Sequence, residues 1–197
     1  QRQEAPALPV RKPAVAKRET LGGLQVVAVL PNRHEIAERR DLAEPDAHLA
    51  GGASLADTGI LDAKPHGQAI QLRINMETMT PDGSAKPGGG TLTAFEPPSA
   101  RGVRVDTYGY AGYRTNPNFD SLLAKLIVHS PSAAFADVLA RSERALASFR
   151  LEGAPSNIGF LRALLAHSDV RADKVHTRFV DEHAGALIEA AAKMNPG

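Results

Sequence analysis

Residues 122–149 read LLAKLIVHSPSAAFADVLARSERALASF. As far as His129 the run is apolar enough for a strand buried on both faces. Ser130 and Pro131 then give a helix start signal, and Phe135, Val138, Leu139, Leu146 and Phe149 recur at helical spacing. That helix is expected over 132–150, with Gly153 as its stop. The hydrophobic period therefore changes from two to 3.6 residues near position 131. Upstream, Ile70, Leu72 and Ile74 alternate with Gln71, Arg73 and Asn75 over Ala69–Asn75, the mark of a half-buried strand. Thr91–Phe95 reads as a second strand. Gly102–Asp106 reads as a third, with Val103 and Val105 on one face and Arg104 and Asp106 on the other. Downstream, Ile158, Phe160, Leu161, Leu164 and Leu165 predict a helix over 157–167 with Ser156 or Asn157 as its N-cap. Phe179–Met194 predicts a further helix. Strands first and helices later make an α+β fold. The expected form is a small, mainly antiparallel sheet from residues 69–75, 91–95, 102–106 and 122–129, covered by the C-terminal helices.

A length of 197 residues suits one domain, or one domain with a tail. Lys and Arg number 23 against 22 Asp and Glu, so the balance excludes a general polyanion binder and no nucleic-acid partner is expected. There are no cysteines, which excludes a disulfide scaffold, a thiolate zinc site and a cysteine nucleophile, and fits a reducing, cytoplasmic setting. No apolar run approaches the ~18 residues of a membrane span. Pro6, Pro9 and Pro13, interleaved with basic residues, leave residues 1–22 little to bury, and they read as a linker or disordered arm. Residues 23–30, GLQVVAVL, read as a short buried strand. Residues 35–50 are helix-compatible but interrupted by Pro45. Residues 81–90, PDGSAKPGGG, are a turn-rich loop.

The chemistry is concentrated in few places. His34, His48, His66, His129, His167, His176 and His183 show no HExxH or other close ligand spacing, so no metal site is expected. Lys86–Gly90 invites a phosphate-loop reading, but it lacks GxxxxGK[ST], and a glycine turn before a strand explains it equally well. Arg104 shares a strand face with Asp106, with Arg101, Arg114, Tyr108, Tyr110 and Tyr113 near in sequence. A guanidinium held this way can bind an oxyanion or stabilise charge developing on oxygen. The alternative is an exposed Arg–Asp pair of small energetic consequence.

Five ordered blocks carry a resemblance across residues 67–160. They are GQAIQLRIN with Glu77 shortly after, GGGTLTAFEPP, GVRVDTYGYAGY, FDSLLAKLIVHS and RALASFRLEGAPSNIGFL. In order and spacing they resemble the biotin carboxylase C-terminal domain, with its RINAE, PGxI, GVRxD, AGY, YDSMxAKL and AL…GxxTN pattern. INMETM and DGSAKPGGG resemble the variant in single-chain acyl-CoA carboxylases. Pro155-Ser156-Asn157 departs from the usual Lys-Thr-Asn. The resemblance weakens from about residue 170.

The resemblance implies three parts: an arm over 1–22, a divergent remnant of the end of an ATP-grasp region over 23–66, and the C-terminal domain over 67–197. It implies that the complete enzyme uses ATP, Mg or Mn and bicarbonate to carboxylate carrier-bound biotin. This chain alone is expected to bind none of these cofactors tightly. Arg104 matches the arginine beside the biotin ureido oxygen, which makes it the candidate catalytic residue. Asp106, Tyr113, Asp120, Ser121 and Lys125 match blocks that shape or support that region. The implied partners are the ATP-grasp portion, a biotin carboxyl carrier domain and a carboxyltransferase, with a homo-oligomer allowed. A non-catalytic scaffold or docking module that keeps the fold is the alternative.

Overall fold

The computed structural model describes residues 19–21, 24–27, 50–54, 57, 67–116 and 118–194, the first two segments as backbone. In chain order the strands are β1 (Glu19–Leu21), β2 (Leu24–Val27), β3 (Gln68–Asn75), β4 (Glu77–Met79), β5 (Ala85–Pro87), β6 (Ala94–Glu96), β7 (Val103–Thr107), β8 (Leu122–Ser130) and β9 (Arg150–Glu152). The helices are α1 (Phe135–Ala147), α2 (Ile158–Ala166), α3 (Ser168–Arg171) and α4 (Phe179–Met194).

Five strands form the main sheet in the order β1-β2-β3-β8-β7, and every neighbouring pair is antiparallel. The α+β expectation holds. The register follows from side-chain alternation, because directly opposed residues in an antiparallel pair share a face. Ile70, Val128 and Val103 form one cross-strand row, and Leu72, Leu126 and Val105 the next. These rows face the helices. Ile70, Leu72, Leu126 and Val128 have no exposed surface, and each contributes roughly 1.5–3 kcal/mol through burial.

The helices complete this core. On α1, Val138, Leu139, Ser142, Ala145 and Leu146 are buried, the one-sided stripe of an amphipathic helix. On α2, seven of nine residues are buried, because it packs against α1, α4 and β3 together. A smaller cluster of Met76, Leu92 and Leu123 sits beside the main one, with Phe95, Tyr113, Leu151 and Ala154 against it.

Several expectations need correction. Thr91–Phe95 is no strand of the main sheet. Thr91 makes one bridge to Arg114, and the strand is β6, which pairs with β9. The helix expected over 132–150 is three residues shorter at each end, and Arg150 already belongs to β9. The Gly/Pro-rich segment over 81–90 contributes β5, which closes a hairpin on β4. Its residues are all exposed, so no apolar alternation betrays it. Strand β8 is not fully buried on both faces, since Lys125 and Ile127 on the outer face are only partly buried. Asn157 occupies the N-cap position of α2, but its side chain makes no capping bond. It bonds to β3 instead, where two backbone groups need partners. Glu19–Leu21, within the expected arm, pairs with β2, and β2 pairs with β3. The other residues of 1–22, all but the last residue of the helix-compatible stretch 35–50, and most of 23–66 lie outside the described residues. No described helix is long and apolar enough to cross a membrane.

Candidate functional site

The face of the sheet away from the helices is polar. Arg104 lies opposite Ile127, which lies opposite Gln71. One rung on, Asp106 lies opposite Lys125, which lies opposite Arg73. The period-two alternation that packs the partly buried Val103 and Val105 against the core is what turns Arg104 and Asp106 to this side.

Arg104 is held by Asp106. Its Nε donates to Oδ1 at 2.7 Å and its Nη2 to Oδ2 at 2.6 Å. Both side chains are about two-fifths exposed, at 41% and 42%. The hydrogen-bonded carboxylate raises the guanidinium above its ordinary pKa, with burial acting against it. A guanidinium carries five N–H donors. Asp106 engages two of them, so the opposite edge is available to an oxygen arriving at this face.

The start of β7 is set by Gly102, which adopts φ +75°. A Cβ there would come within 2.7 Å of the His129 carbonyl. The close approach lets His129 N donate to Gly102 O at 2.7 Å. Glycine thus locks β7 onto β8 immediately before Arg104.

The other candidates divide into two groups. Lys125 shares the polar face with Arg104 and Asp106. Asp120 joins it through Arg73, whose Nη2 lies 3.7 Å from its Oδ2, although Asp120 is largely exposed. Ser121 and Tyr113 face elsewhere. The Ser121 hydroxyl donates to Glu77 Oε2 at 2.8 Å, and the Asn75 amide donates to Glu77 Oε1 at 3.1 Å. Glu77 is only 8% exposed, so these two donors stabilise a nearly buried carboxylate. Tyr113 packs against the Met76–Leu92–Leu123 cluster, and the Tyr108 and Tyr110 rings meet it edge-on at 5.5 and 5.6 Å. Burial, then the neighbouring Tyr113, raises the Tyr108 phenol above its ordinary pKa. The backbone of this loop is fastened to Leu92, with Leu92 N donating to Tyr113 O and Gly112 N to Leu92 O.

The remaining nearby residues are drawn away. Arg101 lines a separate cleft of about 330 Å³ with Arg141 and Arg144, and Arg114 bridges to Thr91. In the Lys86–Gly90 segment, Gly88 N donates to Met76 O and Gly90 N to Thr115 Oγ1. Those amides are structural, which removes the basis for a phosphate loop. Glu77 and Asn157 were not singled out as site-supporting residues from the sequence. Glu77 carried one signal, as the acidic residue that follows GQAIQLRIN in the first of the five blocks.

Comparison with known proteins identifies the family and agrees with the fold. The family profile described as biotin carboxylase C-terminal domain matches residues 71–182. Mitochondrial pyruvate carboxylase of Homo sapiens is 34% identical over 169 residues, covering 81% of this chain and 14% of that protein. The biotin-dependent acyl-coenzyme A carboxylase alpha3 subunit of Mycobacterium leprae is 35% identical over 173 residues, covering 84% of this chain and 28% of that protein. The solved structure of a single-chain, multi-domain long-chain acyl-CoA carboxylase superposes with a TM-score of 0.66 at 41% identity, covering 82% of this chain and 18% of that one. The chain thus spans less than a third of each of these relatives. With the matched profile covering more than half of its residues, the chain belongs to the biotin carboxylase C-terminal domain family.

Proposed function

We propose that this chain is the C-terminal portion of a biotin carboxylase component in an acyl-CoA carboxylase-type system. In the complete enzyme, carrier-bound biotin would be carboxylated with ATP and bicarbonate, and a carboxyltransferase would pass the carboxyl group on. The ATP-grasp portion, carrier domain and carboxyltransferase are its proposed partners, and the cytoplasm its proposed setting. We divide the chain as an arm over 1–22, an ATP-grasp remnant over 23–66 and the domain over 67–197, with β2 of the middle part joined to the sheet of the last. The acyl-CoA assignment is supported by the 41% identity to the long-chain acyl-CoA carboxylase structure.

One observation carries the reading: the Asp106-held Arg104 fork on the outer sheet face, with its second edge available. That edge fits the ureido oxygen of biotin. Biotin supplies a ureido nitrogen that accepts the carboxyl group. Arg104 would hold the ureido oxygen and stabilise negative charge there. Asp106 would orient Arg104, and Lys125 would add positive charge to the same face. Tyr113 and Ser121 would support the loops that frame it, Asp120 acting through Arg73. No described residue is assigned to ATP or its metal ion.

The test is Arg104→Ala in the full-length parent. Turnover of biotin carboxylation should fall about a hundredfold to a thousandfold, as for removal of one well-placed oxyanion donor, ~2.7–4 kcal/mol. Arg104→Lys should restore only part, because an ammonium lacks the planar fork. Near-normal turnover in both variants would leave the docking-module reading in place. Acceptor assays with an acyl-CoA and with pyruvate decide the system type.

A further inference from the structure

We propose that His167, Asp169 and His183 form a binding site for one divalent transition-metal ion of the zinc type, separate from the Arg104 face. One ligand atom from each of the three side chains lies within 4.8 Å of the other two. Among the described residues this is the one such group of three or more. The sequence conceals it, because His183 lies on α4 while His167 and Asp169 flank the start of α3. All three side chains are partly buried, so the cluster is neither a solvated surface patch nor sealed from an arriving ion.

The ring nitrogens are prepared for ligation. Nδ1 of His183 lies 2.9 Å from Phe179 O. A carbonyl can only accept, so Nδ1 carries the proton and Nε2 of the neutral ring keeps its lone pair. A second nitrogen donating to a backbone carbonyl is the usual outer support of a metal-bound histidine. Nδ1 of His167 accepts from Asp169 N at 3.2 Å and lies 3.9 Å from Asp169 Oδ2. That lone pair is engaged by the amide, and an ion would have to displace this bond, which at 3.2 Å lies at the long end of the normal range. The rings are positioned by packing: Phe179 stacks on His183 at 4.3 Å and meets His167 edge-on at 5.0 Å. Metal–ligand distances of about 2.0–2.2 Å require the ligand atoms to close by roughly an ångström. Small side-chain adjustments supply that. Two imidazoles and one carboxylate, with no thiolate, suit zinc and similar borderline ions more than Mg²⁺ or Ca²⁺. A bound ion would tie α4 to the α2–α3 junction.

The experiment is calorimetric titration of the tag-free chain with zinc chloride, repeated with Co²⁺ as a spectroscopic probe. The expected result is one saturable equivalent, a cobalt ligand-field spectrum, a zinc-dependent rise in melting temperature, and no displacement by excess Mg²⁺. Asp169→Asn leaves the aromatic packing untouched and should weaken binding at least tenfold. His183→Gln should do the same, while His176→Gln, outside the cluster, should bind as the unaltered chain does. Absence of saturable binding, or an affinity in Asp169→Asn and His183→Gln equal to that of the unaltered chain, would overturn the site.

Discussion

Arg104 and Asp106, two residues apart on β7, are joined by a two-point contact that fixes the plane of the guanidinium. Asp106→Asn leaves a single acceptor oxygen and so at most one point of the fork. The pair is exposed enough that folding stability should change by less than ~1 kcal/mol. Orientation matters more to catalysis, where misplacement by an ångström can cost about a hundredfold. In the parent enzyme the variant should lose tenfold or more in biotin carboxylation while its urea midpoint barely moves. Measuring kcat beside the midpoint checks this, and an unchanged kcat would show that Asp106 does not position Arg104.

Ser121 belongs to stability. Its hydroxyl is one of two side-chain donors to the nearly buried Glu77. Ser121→Ala removes a bond to a charged acceptor, a change worth ~1.5–3 kcal/mol. Urea unfolding of the chain should show that loss. A midpoint shift below a few tenths molar would mean that water replaces the hydroxyl.

How much of this was legible follows from where each signal lies. Arg104 and Asp106 were readable because Val103 and Val105 alternate with them in one short strand. The paired core rows were readable because Ile70, Leu72 and Ile74 repeat the same period. Asn157 was misread because its partner on β3 lies 82 residues away, and a local capping rule was the nearest explanation. The bond from Ser121 to Glu77 spans 44 residues and leaves no pattern in either segment. Strand β9 was hidden because Phe149 continues the helical spacing up to the residue before it. The β4–β5 hairpin was hidden because an exposed strand of Ala, Lys and Pro has no buried face.

The turn between β4 and β5 sets a pH dependence. Asp82 Oδ1 accepts from the Thr80 hydroxyl at 2.6 Å, the Ser84 hydroxyl at 2.8 Å and Ser84 N at 3.1 Å. These bonds, led by that from Thr80, lower its pKa to about 2. The unfolded value is ~3.9, so the folded pKa is depressed. The contribution of Asp82 is therefore complete above about pH 4 and is lost as the pH falls towards 2. A carboxyl-carbon NMR titration should give a midpoint near the lower value. The turn amides of Gly83 and Ser84 should lose exchange protection over the same interval, and a midpoint near 3.9 would refute the network.

Asn157 offers the sharpest separation of two structural roles. It is 2% exposed. Its Oδ1 accepts from Asn75 N at 2.9 Å and its Nδ2 donates to Arg73 O at 3.0 Å. Its own backbone N donates to Asn75 O at 3.1 Å. The β2 register on β3 reaches only to Leu72, so Asn157 serves as a strand-like partner for the end of β3 beyond it. If Asn157 acted as an N-cap, aspartate would substitute well, because Asp and Asn are about equal there. As a strand-like partner it needs both an acceptor and a donor, and aspartate lacks the donor. Asn157→Asp would set a buried carboxylate oxygen against the Arg73 carbonyl. Each unsatisfied buried group costs about 1–3 kcal/mol. Asn157→Ala, which removes both bonds, should therefore lose roughly 2–6 kcal/mol, and Asn157→Asp should be no more stable than Asn157→Ala at neutral pH. Urea unfolding of the two variants side by side decides it: an aspartate variant close to wild type would assign Asn157 to capping α2.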